Sequence, residues 1–423
     1  MSNQLSLDVS SVPKEWLITP CGVFFKVKSI KNTEGEMNLS VYRDYGVIPK
    51  DSRNDNHNRV SEDTLNYKLV EPGDFVLNKM KGWSGSLGVS DYRGIVSPSY
   101  TVLEPIKEID NKYFHYLLRS ETYRQIYESL SYGVRIGQWE LRYHDFKQIP
   151  SLYPPMEEQK LISRYLDKKI SQIDSLVDKF KKKIDLLKEY KTSLISEVVT
   201  RGLNPDVEMK ESEIEWIGEI PSHWRKSKFK FVSDLYTGNS LNDSQKLKYE
   251  SDNPNDIPYV SSKDIDVDYQ TVDYNNGLRI PTEENPLKIS PKGSFLMVVE
   301  GGSSGRKMVF LEQDVCFVNK LCSFKSVENT KFQYYFVQSS NYQDKFRLSL
   351  SGLIGGVSMS NLKNFELTLP PLSEQQQIVS YLDEQTKKID KIIFSEEKRV
   401  ELLKEYKQSL ISEVVTGKKR VVS

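Results

Sequence analysis

The stretch Leu186-Leu-Lys-Glu-Tyr-Lys-Thr-Ser-Leu-Ile-Ser-Glu-Val-Val-Thr200 recurs 216 residues later as Leu402-Leu-Lys-Glu-Tyr-Lys-Gln-Ser-Leu-Ile-Ser-Glu-Val-Val-Thr416. The match extends without a gap over residues 154–200 and 370–416, where 25 of 47 positions are identical. An internal repeat decides the architecture before any single residue does. We therefore expect two tandem halves, each a variable globular block followed by the same helical block. A pseudo-twofold molecule of this kind suits a two-part target.

Composition narrows the class of protein. The chain has 423 residues, enough for two to three domains, and 28% of them are charged. The formal net charge of +0 argues against binding nucleic acid by bulk charge and leaves room for local basic patches. We see no apolar run long enough for a membrane span and no secretory pattern at the start of the sequence. Three scattered cysteines (Cys21, Cys316 and Cys322) fit a reducing cytoplasm better than a disulfide frame, so we expect a cytoplasmic protein.

Each helical block carries a heptad pattern. Pro154-Pro155 and Pro370-Pro371 precede the two blocks and cannot continue a helix. Alternating spacings of four and three then mark a coiled-coil seam in both copies. The seam of the first copy includes Leu166, Ile173, Phe180, Leu187 and Leu194, and the seam of the second includes Leu382, Ile389, Val400, Leu403 and Leu410.

The two seams predict an antiparallel pair within one chain. They have matched length, and the intervening globular block lets the second helix return along the first. From Leu166 to Val198 a helix rises roughly 48 Å at about 1.5 Å per residue, so the pair would act as a rigid spacer. The alternative is a homodimeric coiled coil. The Lys181-Lys-Lys183 run could contact phosphates, but it is more typical of a solvated helix face.

The blocks before the two helices match each other weakly. Gly73-Asp-Phe-Val-Leu77 parallels Gly293-Ser-Phe-Leu-Met297, and Tyr116-Leu-Leu-Arg-Ser120 parallels Tyr335-Phe-Val-Gln-Ser339. Short strand-type runs alternate with helical runs, which predicts an α+β fold shared by both blocks. The expected strands are Phe75–Leu77, Ile95–Leu103, Phe295–Val299, Met308–Phe310 and Asp314–Phe317, and the expected helices are Tyr113–Leu130 and Phe332–Leu350.

A Gly-rich polar loop follows the matched Gly-x-Phe strand in each block, at residues 78–88 and 300–307. Glycines let a backbone approach a partner closely, and Lys, Arg, Trp and Ser supply groups for phosphates and base edges. The loop chemistry differs between blocks while the frame does not, as expected of two recognition modules with different targets. A pair of tight structural turns is the alternative. The candidate DNA-contacting residues are Lys79, Lys81, Trp83, Ser84, Arg93, Ser303, Ser304, Arg306 and Lys307.

The sequence lacks the motifs of a catalytic centre that we looked for. Residues 301–307 lack the Gly-Lys-Ser/Thr ending of a nucleotide P-loop. We find no amino-methyltransferase Asn/Asp-Pro-Pro-Tyr/Phe run, no dinucleotide fingerprint, no Gly-x-Ser-x-Gly elbow and no metal-ligand spacing. Because carboxylates are plentiful, a concealed nuclease site stays open, but we expect no catalytic residue and no metal site in this chain.

Taken in order, the motifs resemble a known family. They are Pro-Pro-x-x-Glu-Gln opening each helix, Leu-Ile-Ser-Glu-Val-Val-Thr closing it, Glu215-Trp-Ile-Gly-Glu-Ile-Pro-Ser-His-Trp224, Gly73-Asp-Phe-Val-Leu-Asn-Lys-Met80, Gly94-Ile-Val-Ser-Pro98 and Val299-Glu-Gly-Gly302. Together, over essentially the whole length, the chain resembles the specificity subunit of a type I restriction-modification system. The first block departs from the pattern, since Val12-Pro-Lys-Glu-Trp16 lacks the fuller lead of the second.

The resemblance implies a domain plan and a role. Two target-recognition domains, at residues 1–153 and 202–369, would each read one half of a split, asymmetric site on double-stranded DNA. Spacer helices at 154–201 and 370–417 would set the distance between half-sites and dock two methyltransferase subunits; residues 418–423 form a basic tail. Two restriction (translocase and nuclease) subunits would join to cut. The chain itself would hold no cofactor, with S-adenosylmethionine, ATP and Mg on the partner subunits.

Two other readings remain open from the residues. One is a coiled-coil adaptor with no role on DNA. The other is a stand-alone DNA-modifying enzyme, against which the missing motifs count. A methyltransfer assay on the isolated chain and DNA binding with the methyltransferase partner present distinguish the three.

Overall fold

The computed structural model describes residues 9–31, 35–43, 45–52, 64–133, 139–282, 286–352 and 355–421. The chain divides into two compact units. Unit 1 comprises residues 1–180 and 398–423, and unit 2 comprises residues 181–397. Each unit therefore contains one globular block, part of the first repeat helix and part of the second.

The first block is built on a four-stranded antiparallel sheet whose strands, in order, are Phe25–Lys28 (β2), Tyr100–Pro105 (β9), Phe75–Asn78 (β6) and Leu87–Val89 (β7). Gly73 precedes β6 with φ of 94°, a left-handed turn that suits glycine and starts the buried run Phe75–Asn78. The strands are β1 Leu17–Pro20, β2 Phe25–Lys28, β3 Leu39–Tyr42, β4 Gly46–Pro49, β5 Lys68–Val70, β6 Phe75–Asn78, β7 Leu87–Val89, β8 Gly94–Val96, β9 Tyr100–Pro105 and β10 Pro150–Tyr153. The helices are α1 Asn111–Arg119, α2 Glu121–Leu130 and α3 Tyr143–Phe146, followed by the repeat helix α4 Met156–Arg201.

The second block repeats this frame. The strands of its sheet, in order, are Ser233–Thr237 (β14), Leu321–Ser326 (β21), Phe295–Val298 (β18) and Met308–Phe310 (β19). Gly293, with φ of 76°, occupies the position of Gly73. The strands are β11 Met209–Glu211, β12 Glu219–Pro221, β13 Arg225–Lys228, β14 Ser233–Thr237, β15 Ile257–Val260, β16 Arg279–Ile280, β17 Ile289–Ser290, β18 Phe295–Val298, β19 Met308–Phe310, β20 Val315–Phe317, β21 Leu321–Ser326 and β22 Glu366–Leu369. The helices are α5 Phe229–Val232, α6 Asp243–Lys248, α7 Thr330–Phe336, α8 Ser340–Leu348 and α9 Met359–Asn364, followed by the repeat helix α10 Leu372–Val415.

Stacked aromatic side chains fill the core beneath each sheet. Phe75 stacks on Phe146 in unit 1 with ring centroids 5.7 Å apart. In unit 2 Phe295 stacks on Phe324 at 4.5 Å, and Phe229 meets Phe324 edge-on at 5.6 Å. All of these rings are fully buried, so the matched Gly-x-Phe strands serve the same purpose in both blocks: they anchor a hydrophobic core.

Three predicted segments are shorter or divided in the structure. The helical run Tyr113–Leu130 is two helices separated at Ser120, and the run Phe332–Leu350 is two helices separated over residues 337–339. Ser120 and Ser339 are extended and occupy the N-cap positions, and the Ser339 hydroxyl accepts the Tyr342 N–H, which periodicity alone does not reveal. The strand expected over 95–103 is two strands, because Pro98 occupies a turn between them.

The two repeat helices run antiparallel within each unit. In unit 1 the Lys407 ammonium lies 2.7 Å from the Asp174 carboxylate. In unit 2 Lys191 pairs with Asp390 at 2.7 Å, and Lys183 pairs with Glu396 at 2.7 Å. Residue numbers decrease along one helix as they increase along the other, so the predicted antiparallel pairing of the two repeat helices of one chain is confirmed. Among the described residues, no helix is both long and apolar enough to cross a membrane.

The predicted seam is the covered face of both helices. Leu166, Ile173, Leu382, Ile389, Val400 and Leu410 are buried, and Phe180, Leu187, Leu194 and Leu403 are partly buried. The polar residues in the seam have partners there. Glu396 is buried against Lys183, and the Thr386 hydroxyl donates to Leu382 O at 2.7 Å. Such polar seam positions select one register at some expense of stability.

The seam does not serve helix pairing alone. Leu382 and Val198 belong to the hydrophobic core of unit 2, together with Trp224 and Phe332 of the block. The expectation that each seam is buried mainly by the other copy is therefore incomplete. Toward its ends, the seam is also the surface against which the globular block packs.

Candidate nucleic-acid interface

The repeated Glu-Gln pair fastens each block to its repeat helix. The Trp16 indole N–H donates to Glu158 at 2.9 Å in unit 1, and the Trp224 indole N–H donates to Glu374 at 3.2 Å in unit 2. The next residue, Gln159 or Gln375, is fully buried and turns back to the proline carbonyl five residues earlier. The Pro-Pro-x-x-Glu-Gln motif thus has a structural reason in both copies.

A second fastening repeats along the helix. The Asp167 carboxylate accepts from the Tyr116 hydroxyl at 2.6 Å and from the Lys112 ammonium at 2.5 Å. Asp383, which is 216 residues further on, accepts from the Tyr335 hydroxyl at 2.6 Å and pairs with the Lys331 ammonium at 2.8 Å. We call each set of Asp, Tyr and Lys an aspartate clamp. In each case a residue of the repeat helix holds the first helix after the sheet of the block, α1 or α7.

The predicted Gly-rich loop meets a second loop in both blocks. We call residues 79–86 and 299–307 the first loops, and residues 131–141 and 350–357 the second loops. In block 1 the Leu141 N–H donates to Lys79 O at 3.0 Å. In block 2 the Val357 N–H donates to Val299 O at the same 3.0 Å, at the equivalent place. Two loops joined by the same backbone hydrogen bond therefore form a common frame.

Aromatic and basic side chains occupy this frame in block 1. Trp83 and Trp139 contact edge-to-face with centroids 5.4 Å apart. Lys81 is exposed, whereas Lys79 is partly buried near Lys68. Burial and the neighbouring Lys79 charge lower the pKa of Lys68. Positive charge is thus concentrated beside a partly buried aromatic pair, an arrangement suited to a phosphate backbone.

Two other candidates of block 1 already have partners within the chain. The Ser84 hydroxyl donates to Lys81 O at 2.8 Å inside the first loop. Arg93 pairs with Glu36 at 2.9 Å and with Glu71 at 3.2 Å. Contact of either side chain with DNA would therefore require exchange of an internal interaction for an external one.

The candidates of block 2 are placed differently from one another. Arg306 is exposed, and its guanidinium donates to Gly302 O at 2.6 Å. The Lys307 ammonium turns inward and donates to Ser262 O at 2.9 Å. Ser303 is partly buried, and the buried Ser304 hydroxyl has no hydrogen-bond partner among the described residues. Arg306 is thus the cation of this loop that faces outward.

Unit 2 contains two clefts near these loops. One, of about 290 Å³, lies between the repeat helices and the block, and Arg306, Lys188, Lys191 and Asp268 contribute to its lining. The Lys188 ammonium lies 3.2 Å from the Asp268 carboxylate there. The other, of about 500 Å³, lies between the first and second loops.

Sequence reasoning missed the second loops. Tyr132 and Glu140 form an isolated bridge across one of them, and Ser351 and Gly356 form the same bridge across the other. The signal was present as Ser-Tyr-Gly at 131–133 and Leu-Ser-Gly at 350–352, at the offset that aligns Tyr116 with Tyr335. It is too short to notice without the frame. Within the described ranges, no group of three His, Cys, Asp or Glu side chains is placed to hold a metal ion.

Comparison with known proteins identifies the family. The model of the type I restriction modification DNA specificity domain matches residues 13–186 and again residues 221–402. These two matches cover most of the chain, and the chain belongs to this family. The two matched segments follow the two halves that the internal repeat predicted. The predictions of the family and of a DNA-recognition role without catalysis are confirmed.

Named relatives and solved structures agree with this. The MjaVIII specificity subunit of Methanocaldococcus jannaschii is 24% identical, with 97% of this chain and 94% of the relative covered. The EcoKI specificity subunit of Escherichia coli K12 is 24% identical over 74% of this chain and 68% of its own. A chain from a structure of type I R-M complex assembly has a TM-score of 0.72 at 16% identity, covering 96% of this chain and 99% of that one. The HsdS subunit from Thermoanaerobacter tengcongensis has a TM-score of 0.52 at 15% identity, covering 96% and 98%. The predicted α+β fold with two blocks and paired helices is confirmed.

Proposed function

We propose that this chain reads a two-part, asymmetric site on double-stranded DNA, one half with each block. The observation that carries the proposal is the common loop frame. The same backbone hydrogen bond joins the two loops in both blocks, while the side chains around it differ. A constant frame with variable chemistry is what two readers of different sequences require. The near-zero charge of the chain is acceptable because partner subunits can contribute phosphate contacts.

Two methyltransferase subunits dock on the repeat helices in this proposal, one on each repeat. Leu186 and Tyr190 are 55% and 57% exposed, and their counterparts Leu402 and Tyr406 are 52% and 51% exposed. The members of each pair are four residues apart and share a helix face. Because these residues are open to solvent, packing within the chain does not explain why both repeats keep them. Identical partners on two equivalent surfaces do explain it.

The remaining components are assigned to the partners. S-adenosylmethionine would bind the methyltransferase subunits, and ATP and Mg would serve two restriction subunits that join the complex. The chain described here supplies recognition and spacing. It would act in the compartment that holds the DNA, which for this system is the cytoplasm.

The main test compares the isolated chain with its complex. The chain alone is expected to transfer no methyl group from S-adenosylmethionine, and adding the methyltransferase partner is expected to produce sequence-dependent DNA binding. Methyl transfer by the chain alone would instead support the stand-alone enzyme. A complex that forms but binds all duplexes equally would support the adaptor.

Arg306→Ala tests the first loop of block 2. For comparison, Lys320→Ala removes a second exposed cation of the same block. If Arg306 reads guanine, its loss removes about 1–3 kcal/mol of discrimination at one half-site. If it contacts phosphate, binding weakens for all sequences and the salt dependence decreases by about one charge. Unchanged affinity and preference would mean that the loop is a structural turn.

Leu186→Glu and Leu402→Glu test the docking surfaces. Each is expected to remove one of two methyltransferase subunits from the complex in native mass spectrometry, and the double variant is expected to remove both. Leu203→Glu is the matched control, since Leu203 is 39% exposed and lies outside the helices. Loss of both subunits from a single variant would contradict two independent sites.

A further inference from the structure

The cleft of about 500 Å³ in unit 2 lies between the first and second loops of block 2. Backbone hydrogen bonds fix its walls: Gly301 N–H donates to Gly355 O at 2.9 Å, and Val299 N–H donates to Lys320 O at 2.9 Å. We propose that this cleft receives base edges of the second half-site, with Glu300 and Asn319 as specificity-determining residues. The inference rests on the proposed function and deepens it for one block.

Gly302 supplies the first argument. Two glycines of the loops beside this cleft have a left-handed backbone, Gly301 with φ of 104° and Gly352 with φ of 78°. Gly302 does not, and no described atom lies within 4 Å of the Cβ that a side chain would add. Neither backbone strain nor packing against the residues that the structure describes therefore requires a glycine here. Close approach of an external group to the backbone does require one.

The side chains at the cleft supply the second argument. Glu300 lines it and is partly buried, and its Cγ lies 3.4 Å from the Cβ position of Gly356. A carboxylate can accept a hydrogen bond from the exocyclic amino group of cytosine or adenine, and an amide such as that of Asn319 can pair with adenine. Lys320 is exposed next to Asn319, at the turn between β20 and β21, where it can meet a phosphate. One acceptor and one amide thus line a single opening, and a cation follows the amide directly in the sequence.

Block 1 shows why the assignment is limited to block 2. At the equivalent position its two loops bring Trp83 and Trp139 together, with centroids 5.4 Å apart. In block 2 the second loop instead contributes Gly355 and Gly356 to the lining of the cleft. The two blocks therefore present different surfaces on the same frame, and residues that read bases in one have no counterpart of the same chemistry in the other.

The test begins with the wild-type complex of chain and methyltransferase, whose two-part site is selected from random duplexes. Glu300→Gln and Asn319→Ala are then measured against every single-base change in that site. Each is expected to lower discrimination about 5- to 100-fold at base pairs of one half-site, with the other half-site unchanged. Glu312→Gln is the matched control, because Glu312 is an exposed carboxylate of the same block outside the cleft. It is expected to keep the wild-type preference.

Gly302→Ala provides a second variant with an independent readout. The methyl group has room in the free protein, so thermal stability should not change. Affinity for the selected site should fall at least tenfold if DNA approaches this backbone. A wild-type complex that selects no sequence would overturn the proposed function itself. A wild-type complex that selects a site which all three variants read unchanged would overturn this inference alone.

Discussion

At the scale of single residues, burial separates ionic groups that stabilise the fold from those that can serve a partner. Lys28 and Asp74 have side chains only 5% and 6% exposed and lie 2.7 Å apart. Asp74 also accepts the Glu71 N–H at 2.8 Å. The Lys28 ammonium also lies 2.6 Å from the half-exposed Glu71 carboxylate, so removing Asp74 leaves this buried cation with one partner instead of two.

Asp74→Ala is therefore expected to destabilise unit 1 by about 1–3 kcal/mol, since Lys28 keeps Glu71 as a partner. The free energy of opening can be measured from hydrogen exchange of the β6 and β9 amides. Asp243→Ala is the control, since its pair with Lys246 involves a carboxylate that is 97% exposed, and a change below about 1 kcal/mol is expected. The double variant Lys28→Met with Asp74→Leu should recover most of the loss. A similar loss in the double variant would contradict the explanation.

His115 gives unit 1 a pH dependence. Burial and the nearby Arg119 guanidinium, 2.7 Å from the ring, lower the pKa of His115 to about 3. Between pH 6.5 and about 3 the unfolded chain binds a proton that the folded chain does not, so stability falls as the pH falls through this range. The expected loss from pH 6.5 to 5 is at most about 2 kcal/mol, the limit for one proton over this interval, and partial exposure of the side chain makes it smaller. Urea denaturation of wild type and His115→Gln at both pH values checks this; an equal loss in the variant would assign it to other groups.

Residue placement was the least predictable part of the site. The sequence indicated which segments carry Lys, Arg and Gly, and the structure places both first loops at the frame. The sequence could not indicate that Lys307 turns inward to Ser262 O, or that Arg93 pairs with Glu36 and Glu71. These outcomes depend on residues that are distant in sequence, and no local pattern encodes them.

At the scale of elements, periodicity predicted the helices well because a buried seam over many turns leaves a repeated signal. The observed bounds of the two repeat helices lie within two residues of the predicted ones. The polar residues that interrupt the apolar seam have partners, as Glu396 has in Lys183. The aspartate clamps were not predicted. Each joins one residue of a repeat to two of a block, so the clamp appears in the sequence as three unremarkable polar residues.

The clamps should hold α1 and α7 on their repeat helices. Asp383→Asn is expected to weaken the contacts with Lys331 and Tyr335, lowering the free energy of opening of α7 by about 1–2 kcal/mol, with little change in α1. Asp167→Asn should give the reverse result, so each variant is the control for the other. Hydrogen exchange of residues 111–119 and 330–336 measures both. Equal loosening of the two helices would show that the clamps do not act locally.

The repeat helices should also determine the distance between half-sites. Adding seven residues to each, near Lys179 and Ser395, keeps the seam in phase and lengthens the pair by roughly 10 Å. At about 3.4 Å per base pair the unread spacer should grow by about three base pairs, with both half-sites unchanged. Since three base pairs turn the helix by about 100°, weaker binding is compatible with the proposal. Methylation of the original spacing at full efficiency would contradict it.

At the scale of the whole molecule, the repeated contacts make the blocks separable. The fastenings Trp16 to Glu158 and Trp224 to Glu374 use the same chemistry, as do the two aspartate clamps. Replacing residues 1–153 with the equivalent block of a relative should therefore change one half-site and preserve the other. Methylation mapping in a host carrying the hybrid and its methyltransferase measures this. A hybrid with both half-sites altered would contradict independent reading.

The division of the chain into units has a consequence for synthesis. Unit 2 is a continuous stretch, residues 181–397, whereas unit 1 needs residues 398–423 as well as residues 1–180. In unit 1 the Tyr113 hydroxyl donates to Val415 O at 3.3 Å, and Gly417 lies against Pro13 and Trp16. A nascent chain makes its first block early, but that block cannot be completed until residues 398–423 have been synthesised. Domains usually fold in the order of synthesis, beginning at the N-terminus. Here the second recognition block can finish first, and the earlier one depends on residues 398–423, which are made after both blocks.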